Sequence, residues 1–336
     1  MSLSATIRES SSPSVLLIRL DAIGDALALT PLLAALRARD IPVDIVLRDS
    51  NYAALSPRAA RGRFTAPFAQ RSQTRDNRRA IETFGDRLRA NGYTHTLVAT
   101  EDPGGYLLAR RVASPVRAGF VNGWGKPLKT LLLRTVLTAP VYRSAGLDPR
   151  APHESAVLFE LGRSLLGAGE PTRDTAILRP LVLDNDVPPS PSIVMQITDK
   201  WERLGIALDD VVRMLDLAGR CGGVRAIGAA SEAAYAGRVA AASGVAVELF
   251  EQLGDWKAAI AGARALVAPD CGAVHVAGMV GTPTVAVFPA IADFALQTSR
   301  WAPWAAPSRI VCAHPHWPVR ALESLRELLE PAQSAR

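Results

Sequence analysis

The sequence predicts two α/β domains, each a parallel sheet with helices on both faces, set across a cleft. Three observations carry that expectation. Short apolar runs alternate with helical leucine spacing, the rhythm restarts after a proline-rich break, and 336 residues exceed what one ordinary core holds. In the first half, the run at 15–20 leads into 26–39, where Leu29, Leu32, Leu33 and Leu36 share a helical face. Pro31 falls in the first turn of that helix, where proline is tolerated. Further runs follow at 43–47 and 96–99, the Gly- and Pro-rich stretch 100–150 reads as loops facing the cleft, and 156–166 reads as a helix. The break is RPLVLDNDVPPSPS, 179–192. Beyond it, strands at 193–196, 224–227, 245–249, 265–268 and 284–288 alternate with helices at 208–220, 232–243, 256–262 and 272–280. The expected division is a disordered lead-in over 1–14, a first domain over 15–178, a linker over 179–192 and a second domain over 193–315. A helix at 320–329 lies in a last segment, 316–336, expected to pack back on the first domain.

Composition narrows the function classes. The chain is 49% hydrophobic and 21% charged, a globular balance. No apolar run reaches the roughly 18 residues of a spanning helix. The start, MSLSATIRESSSPS, has no signal-peptide pattern, and Cys221, Cys271 and Cys312 lie far apart, so a reducing cytoplasm is expected. Net charge is +6, but unevenly spread: residues 1–180 carry 25 Lys and Arg against 16 Asp and Glu, residues 181–336 carry 13 against 16. Seven arginines fall within 58–79, either a solvated surface or a face for anionic partners. Few aromatics interleave there, which argues against nucleic acid. No metal and no cofactor is expected: the one Asp-X-Asp, at 184–186, lies in the linker, and no GxGxxG, Walker A or HExxH pattern occurs.

Three segments are built for chemistry. RLDAIGDALALTP puts Asp21, Gly24 and Asp25 where the first strand gives way to a helix. Acids there favour the helix dipole, or hold a carboxylate at the cleft as a base. In LVAPDCGAVHVAGMVGTPTVAVF a strand runs into Asp270, then Gly272, then His275 one turn into a helix. Helix-start amides can hold a phosphate oxygen and His275 can add a donor; equally, Asp270 is turn punctuation and His275 a core histidine. MQITDKWERLGI sets Thr198 and Lys200 at a strand's carboxyl end, where the lysine is either a cation for a diphosphate or a surface residue. His153 and Glu154 in PHESAVLFELGRSLLG open a helix and read as structural.

LLIRLDAIGDALALTPLLAALR, the distant KW and PDCGAVHVAGMVGTPTVAVF together resemble the ADP-heptose:lipopolysaccharide heptosyltransferases of glycosyltransferase family 9. RAGFVNGWGKPLKTLLLRTV and the HE…LGRSLLG stretch look like that family's intermediate segments. The resemblance runs from about residue 15 to 303 and implies a GT-B fold, two Rossmann-like domains facing across a cleft. It implies an inverting, metal-independent transfer of heptose from an ADP-sugar to a lipopolysaccharide core acceptor. The basic first half suits a phosphorylated acceptor at an anionic membrane surface, so a protein peripheral to the cytoplasmic face of the inner membrane is expected. By the same resemblance the base falls on Asp25, the donor-phosphate lysine on Lys200, and the nucleotide-sugar segment on Asp270, Gly272 and His275. Acceptor contacts are expected from Asp21, Arg110, Arg111 and Arg117. Two loops depart from the family pattern: QITDKW lacks a Pro-Gly turn, and PAIADFALQTSRWAPW keeps only the Trp-X-Pro end. A catalytically idle nucleotide-binding scaffold, or an enzyme acting on free nucleotide sugars, are the alternatives.

Overall fold

Strands covered by helices on both faces have no polar side and read as continuous apolar runs. VLLI, IVMQ, ALVAP and TVAVF are such runs, buried at every position. The computed structural model describes residues 12–72, 74–143 and 152–330. In it β1 (Val15–Ile18), β2 (Val43–Leu47), β3 (Gly62–Thr65), β4 (His95–Val98), β5 (Val116–Val121) and β6 (Ala139–Tyr142) form a parallel sheet in the order β3-β2-β1-β4-β5-β6. A second parallel sheet holds β7 (Ile193–Gln196), β8 (Val224–Ala229), β9 (Val247–Phe250), β10 (Ala265–Pro269), β11 (Thr284–Phe288) and β12 (Ser308–Cys312). Its order is β12-β11-β10-β7-β8-β9, which is the first sheet's topology repeated. Each sheet therefore reverses its winding once, between β1 and β4 and between β7 and β10. Ligands of open α/β sheets gather at that switch point, beyond the strands' carboxyl ends.

Several expectations are corrected. The stretch 100–150 is not loop: among its described residues are the helix Pro103–Val112, β5, the helix Pro127–Arg134 and β6. The expected linker starts too early, because the helix Thr175–Val182 runs through residue 179 and contains Pro180. Proline forfeits a bond to Ala176 there, and the burial of Leu178, Leu181 and Val182 offsets the loss. This helix packs on both Thr30–Arg37 of the first lobe and Gly272–Val280 of the second. The helix Trp317–Leu329 packs on the second lobe, against β10, β11, β12 and Leu208–Gly219, and not on the first. Its Trp317, Ala321 and Leu325 are apolar and complete the second lobe's core, with Trp317 stacked on Trp201 at 5.3 Å. Most of the expected lead-in, residues 1–11, lies outside the described residues.

One apolar cluster runs unbroken from the first lobe through Thr175–Val182 into the second. Lys257, on the helix Leu253–Gly262, crosses the same junction and is 2% exposed. Its ammonium donates to the carbonyls of Val182 (2.6 Å) and Ala54 (3.4 Å). Burial pushes this lysine down to about 8, while the unfolded chain keeps its proton to about the ordinary 10.5. Between those values the unfolded state binds more protons, so this group makes stability rise with pH, by on the order of 3 kcal/mol across the window. Urea unfolding of wild type and Lys257→Met at intervals between neutral and strongly basic pH is expected to show that rise in the wild type alone. Parallel curves would remove the lysine from the junction's energetics.

Candidate active site

In the first lobe, Arg19 directly follows β1 and is 3% exposed. Its guanidinium donates to the carbonyl of Ala99 and to Asp25 Oδ1 (2.8 Å), and lies 3.7 Å from Asp21 and 3.9 Å from Glu154. A buried arginine held by several carboxylates is fixed in place, and fixes them. Asp25 occupies the first turn of the helix Ile23–Leu27, where its Oδ2 accepts from the backbone N–H of Ala22 at 3.0 Å. Each carboxylate oxygen has a second lone-pair site, and the side chain remains a quarter exposed, so Asp25 is oriented yet open. Burial pushes Asp21 above the usual carboxylate range, opposed by Arg19. Glu154, nearly inaccessible, is pushed up by burial too, and also pairs with Arg143 at 2.7 Å.

In the second lobe, β7 ends at Gln196 and β10 at Pro269, the two strands flanking the switch point. Thr198 donates to Glu232 (2.8 Å) and accepts from the backbone N–H of Lys200 (3.2 Å). Lys200 reaches across to Asp270, 3.7 Å away, and both stay partly open to solvent. Burial raises the Asp270 carboxyl, and Lys200 draws it back. The helix Gly272–Val280 starts beside them, with cap residue Cys271 supplying no side-chain acceptor to its first amides. Burial pushes the Cys271 thiol up to about 11, so the thiol itself carries no charge near pH 7. Trp256 donates to the Gln196 amide oxygen at 2.8 Å and stands behind Gly272.

The lobes meet where these two sets face each other. Ile23–Leu27 packs on Gly272–Val280, and Gly24 sits directly on the His275 imidazole. The imidazole is 7% exposed, with the Trp301 ring edge-on at 5.6 Å. Burial holds His275 down at about 4, against the pull of the Asp25 charge, so it is neutral near pH 7 and has one N–H to give. Asp25 from one switch point thus lies close to the helix start, Lys200 and His275 of the other.

Residues 225–327 match the sequence profile described as Glycosyltransferase family 9 (heptosyltransferase). The matched stretch lies wholly in the second lobe. No curated protein sequence matches the chain. Among solved structures, a family 9 glycosyl transferase from Veillonella parvula is 14% identical with a TM-score of 0.74, over 96% of this chain and 98% of that one. The E. coli ADP-heptose lps heptosyltransferase II is 18% identical with a TM-score of 0.69, over 94% and 98%. The E. coli heptosyltransferase WaaC with ADP is 18% identical with a TM-score of 0.70, over 94% and 99%. These likenesses show the GT-B fold.

In this chain, Asp21, Asp25, Thr198, Lys200, Asp270, Gly272 and His275 all lie at the facing switch points. Arg110, Arg111 and Arg117 do not. A helix following a strand runs back toward the strand's start, so the last turn of Pro103–Val112 and the beginning of β5 lie at the opposite edge of the sheet. There Arg111 pairs with Asp86 (2.6 Å), Arg117 donates to the carbonyls of Ser114 and Val136, and Arg110 is solvent-exposed. His153 is structural as expected, its ring bonded to the Ala302 carbonyl at 2.8 Å. Glu154 does more than open a helix, since it joins Arg19 to Arg143. Arg19 is the residue that sequence reasoning passed over. The available signal was a charge placed directly at the end of a buried strand.

Proposed function

We propose that the chain moves a heptose, or a related sugar, from an ADP-sugar to a phosphorylated lipopolysaccharide core acceptor, with inversion. The observation that carries this reading is the facing of Asp25 from the first switch point by Lys200 and the Gly272–Val280 helix start of the second. The acceptor hydroxyl attacks the anomeric carbon from the face opposite the diphosphate. Its proton passes to Asp25, the carbon–oxygen bond to phosphate breaks, and ADP leaves with the electron pair. Lys200 and the helix amides offset the growing negative charge on the diphosphate, and neutral His275 donates one hydrogen bond. The similar E. coli enzyme with ADP supports an ADP-sugar as donor. No cofactor beyond the ADP-sugar donor is proposed. No described helix is long and apolar enough to cross a membrane, and the basic first half suits a peripheral site on the cytoplasmic side of an anionic membrane.

Titration calorimetry with ADP and ADP-heptose tests the donor side. Both are expected to bind, and Lys200→Ala to weaken ADP by about tenfold or more, the worth of one charge-assisted bond. Mass spectrometry of the acceptor and the anomeric configuration of the product test the rest. Binding of neither nucleotide would leave an idle scaffold, and consumption of ADP-heptose without acceptor would point to chemistry on free nucleotide sugars.

A further inference from the structure

The helix Pro127–Arg134, PLKTLLLR, is turned inside out. A helix on a soluble lobe hides its apolar stripe and exposes its polar one. Here the buried residue is Thr130, bonded to the Gly123 carbonyl at 3.1 Å, while Leu128, Leu131 and Leu132 are 78%, 67% and 68% exposed. Spacings of three and four put those leucines on one face. Trp124, 95% exposed, and Tyr142, 68% exposed, stand beside the helix start, with Tyr142 against Gly123. A cavity of about 580 Å³ opens alongside, its lining including Leu107, Leu132 and Leu133 together with Arg71, Arg78 and Lys129. Residues 103–147 hold seven Lys and Arg and no Asp or Glu.

We propose that this surface, Trp124 with the outer face of Pro127–Arg134, docks the protein on a bilayer containing anionic lipid. Leucines and a tryptophan flanked by cations match the acyl boundary and the headgroup charge together. Trp and Tyr at the edge of the leucine face are the residues that settle at the headgroup level. A second copy of the chain packing on the same face would set these cations against their like, since a two-fold interface presents one patch to itself. The surface also adjoins the cleft. Lys129 bonds Glu101 (3.3 Å), Glu101 neighbours Arg143 (3.7 Å), and Arg143 leads through Glu154 and Arg19 to Asp25. Docking there brings the active-site edge of the first lobe to the membrane, which builds on the lipid-anchored acceptor of the proposed function.

Co-sedimentation with phosphatidylcholine vesicles, with and without phosphatidylglycerol, tests it on the full chain without donor. Wild type is expected to partition onto the anionic vesicles and to come off in high salt. The triple substitution Leu128→Ser, Leu131→Ser and Leu132→Ser changes only exposed side chains and is expected to cut partitioning at least tenfold with ADP binding unchanged. Lys126→Glu with Arg134→Glu is expected to abolish the preference for anionic lipid. Equal partitioning of wild type and triple variant would overturn the proposal. So would a wild type that ignores vesicles, including one that sediments as a dimer dissolved by the triple substitution. ADP calorimetry on the same samples separates the two readings: ADP binding without vesicle binding removes the surface alone, and vesicle binding without ADP binding removes the donor alone.

Discussion

Asp25→Asn is expected to lower turnover by about 10²–10⁴-fold, the usual worth of a general base, while ADP still binds. The amide keeps the size of the carboxylate and can still accept the Ala22 N–H, so the turn at the head of Ile23–Leu27 survives. What it loses is the charge that, in the proposed reaction, accepts the acceptor's proton. Arg19 would keep Asp21 and Glu154 as partners, so the stability cost stays near about 1–3 kcal/mol, the range for one lost charged bond. Single-turnover assays at saturating donor, with ADP calorimetry and a melting curve on the same sample, separate chemistry from binding and folding. A loss confined to the bond-making step lowers kcat and kcat/KM together. Turnover within tenfold of wild type, with the fold intact, would move the base elsewhere.

What the sequence discloses follows from burial. β1, β7, β10 and β11 are covered on both faces, so each reads as an unbroken apolar run and the residues at its end can be placed at the cleft without coordinates. Lys200, Asp270 and Asp25 were legible in that way. β3, β6 and β12 are edge strands, and GRFT, APVY and SRIVC carry no continuous apolar run to mark them. The stretch 100–150 hid a helix and a strand on each side of the glycines for a similar reason. The Arg19–Glu154–Arg143 chain was illegible because its members meet only in the folded lobe, 135 positions separating the first two. Arg110, Arg111 and Arg117 mislead in another way. Their charge suits an anionic ligand, but their phase along a helix and strand puts them at the far edge.

Gly24→Ala is expected to lower kcat by at least tenfold, although the substitution adds a single methyl group and removes no functional group. The new Cβ would stand 2.3 Å from His275 Cδ2 and 2.9 Å from Nε2, well inside the roughly 3.5–4.0 Å of a carbon contact. The imidazole has little room to yield, being buried and faced by Trp301, so either the histidine leaves its place or the lobes part. Overpacking of this kind costs about 1–3 kcal/mol. Gly237, on the helix Ala233–Ser243 with nothing within 4 Å, is the matched control, and there alanine is expected to be harmless. ADP affinity of Gly24→Ala is expected to fall by no more than the single His275 hydrogen bond is worth, since Lys200 and the Gly272–Val280 start lie wholly on the second lobe. Combining Gly24→Ala with His275→Ala decides the cause. If the clash is what separates the lobes, trimming the imidazole restores part of the lost stability and the two changes are non-additive. If Gly24→Ala alone turns over and melts like wild type, the close junction between Ile23–Leu27 and Gly272–Val280 is not the arrangement in which the sugar is transferred.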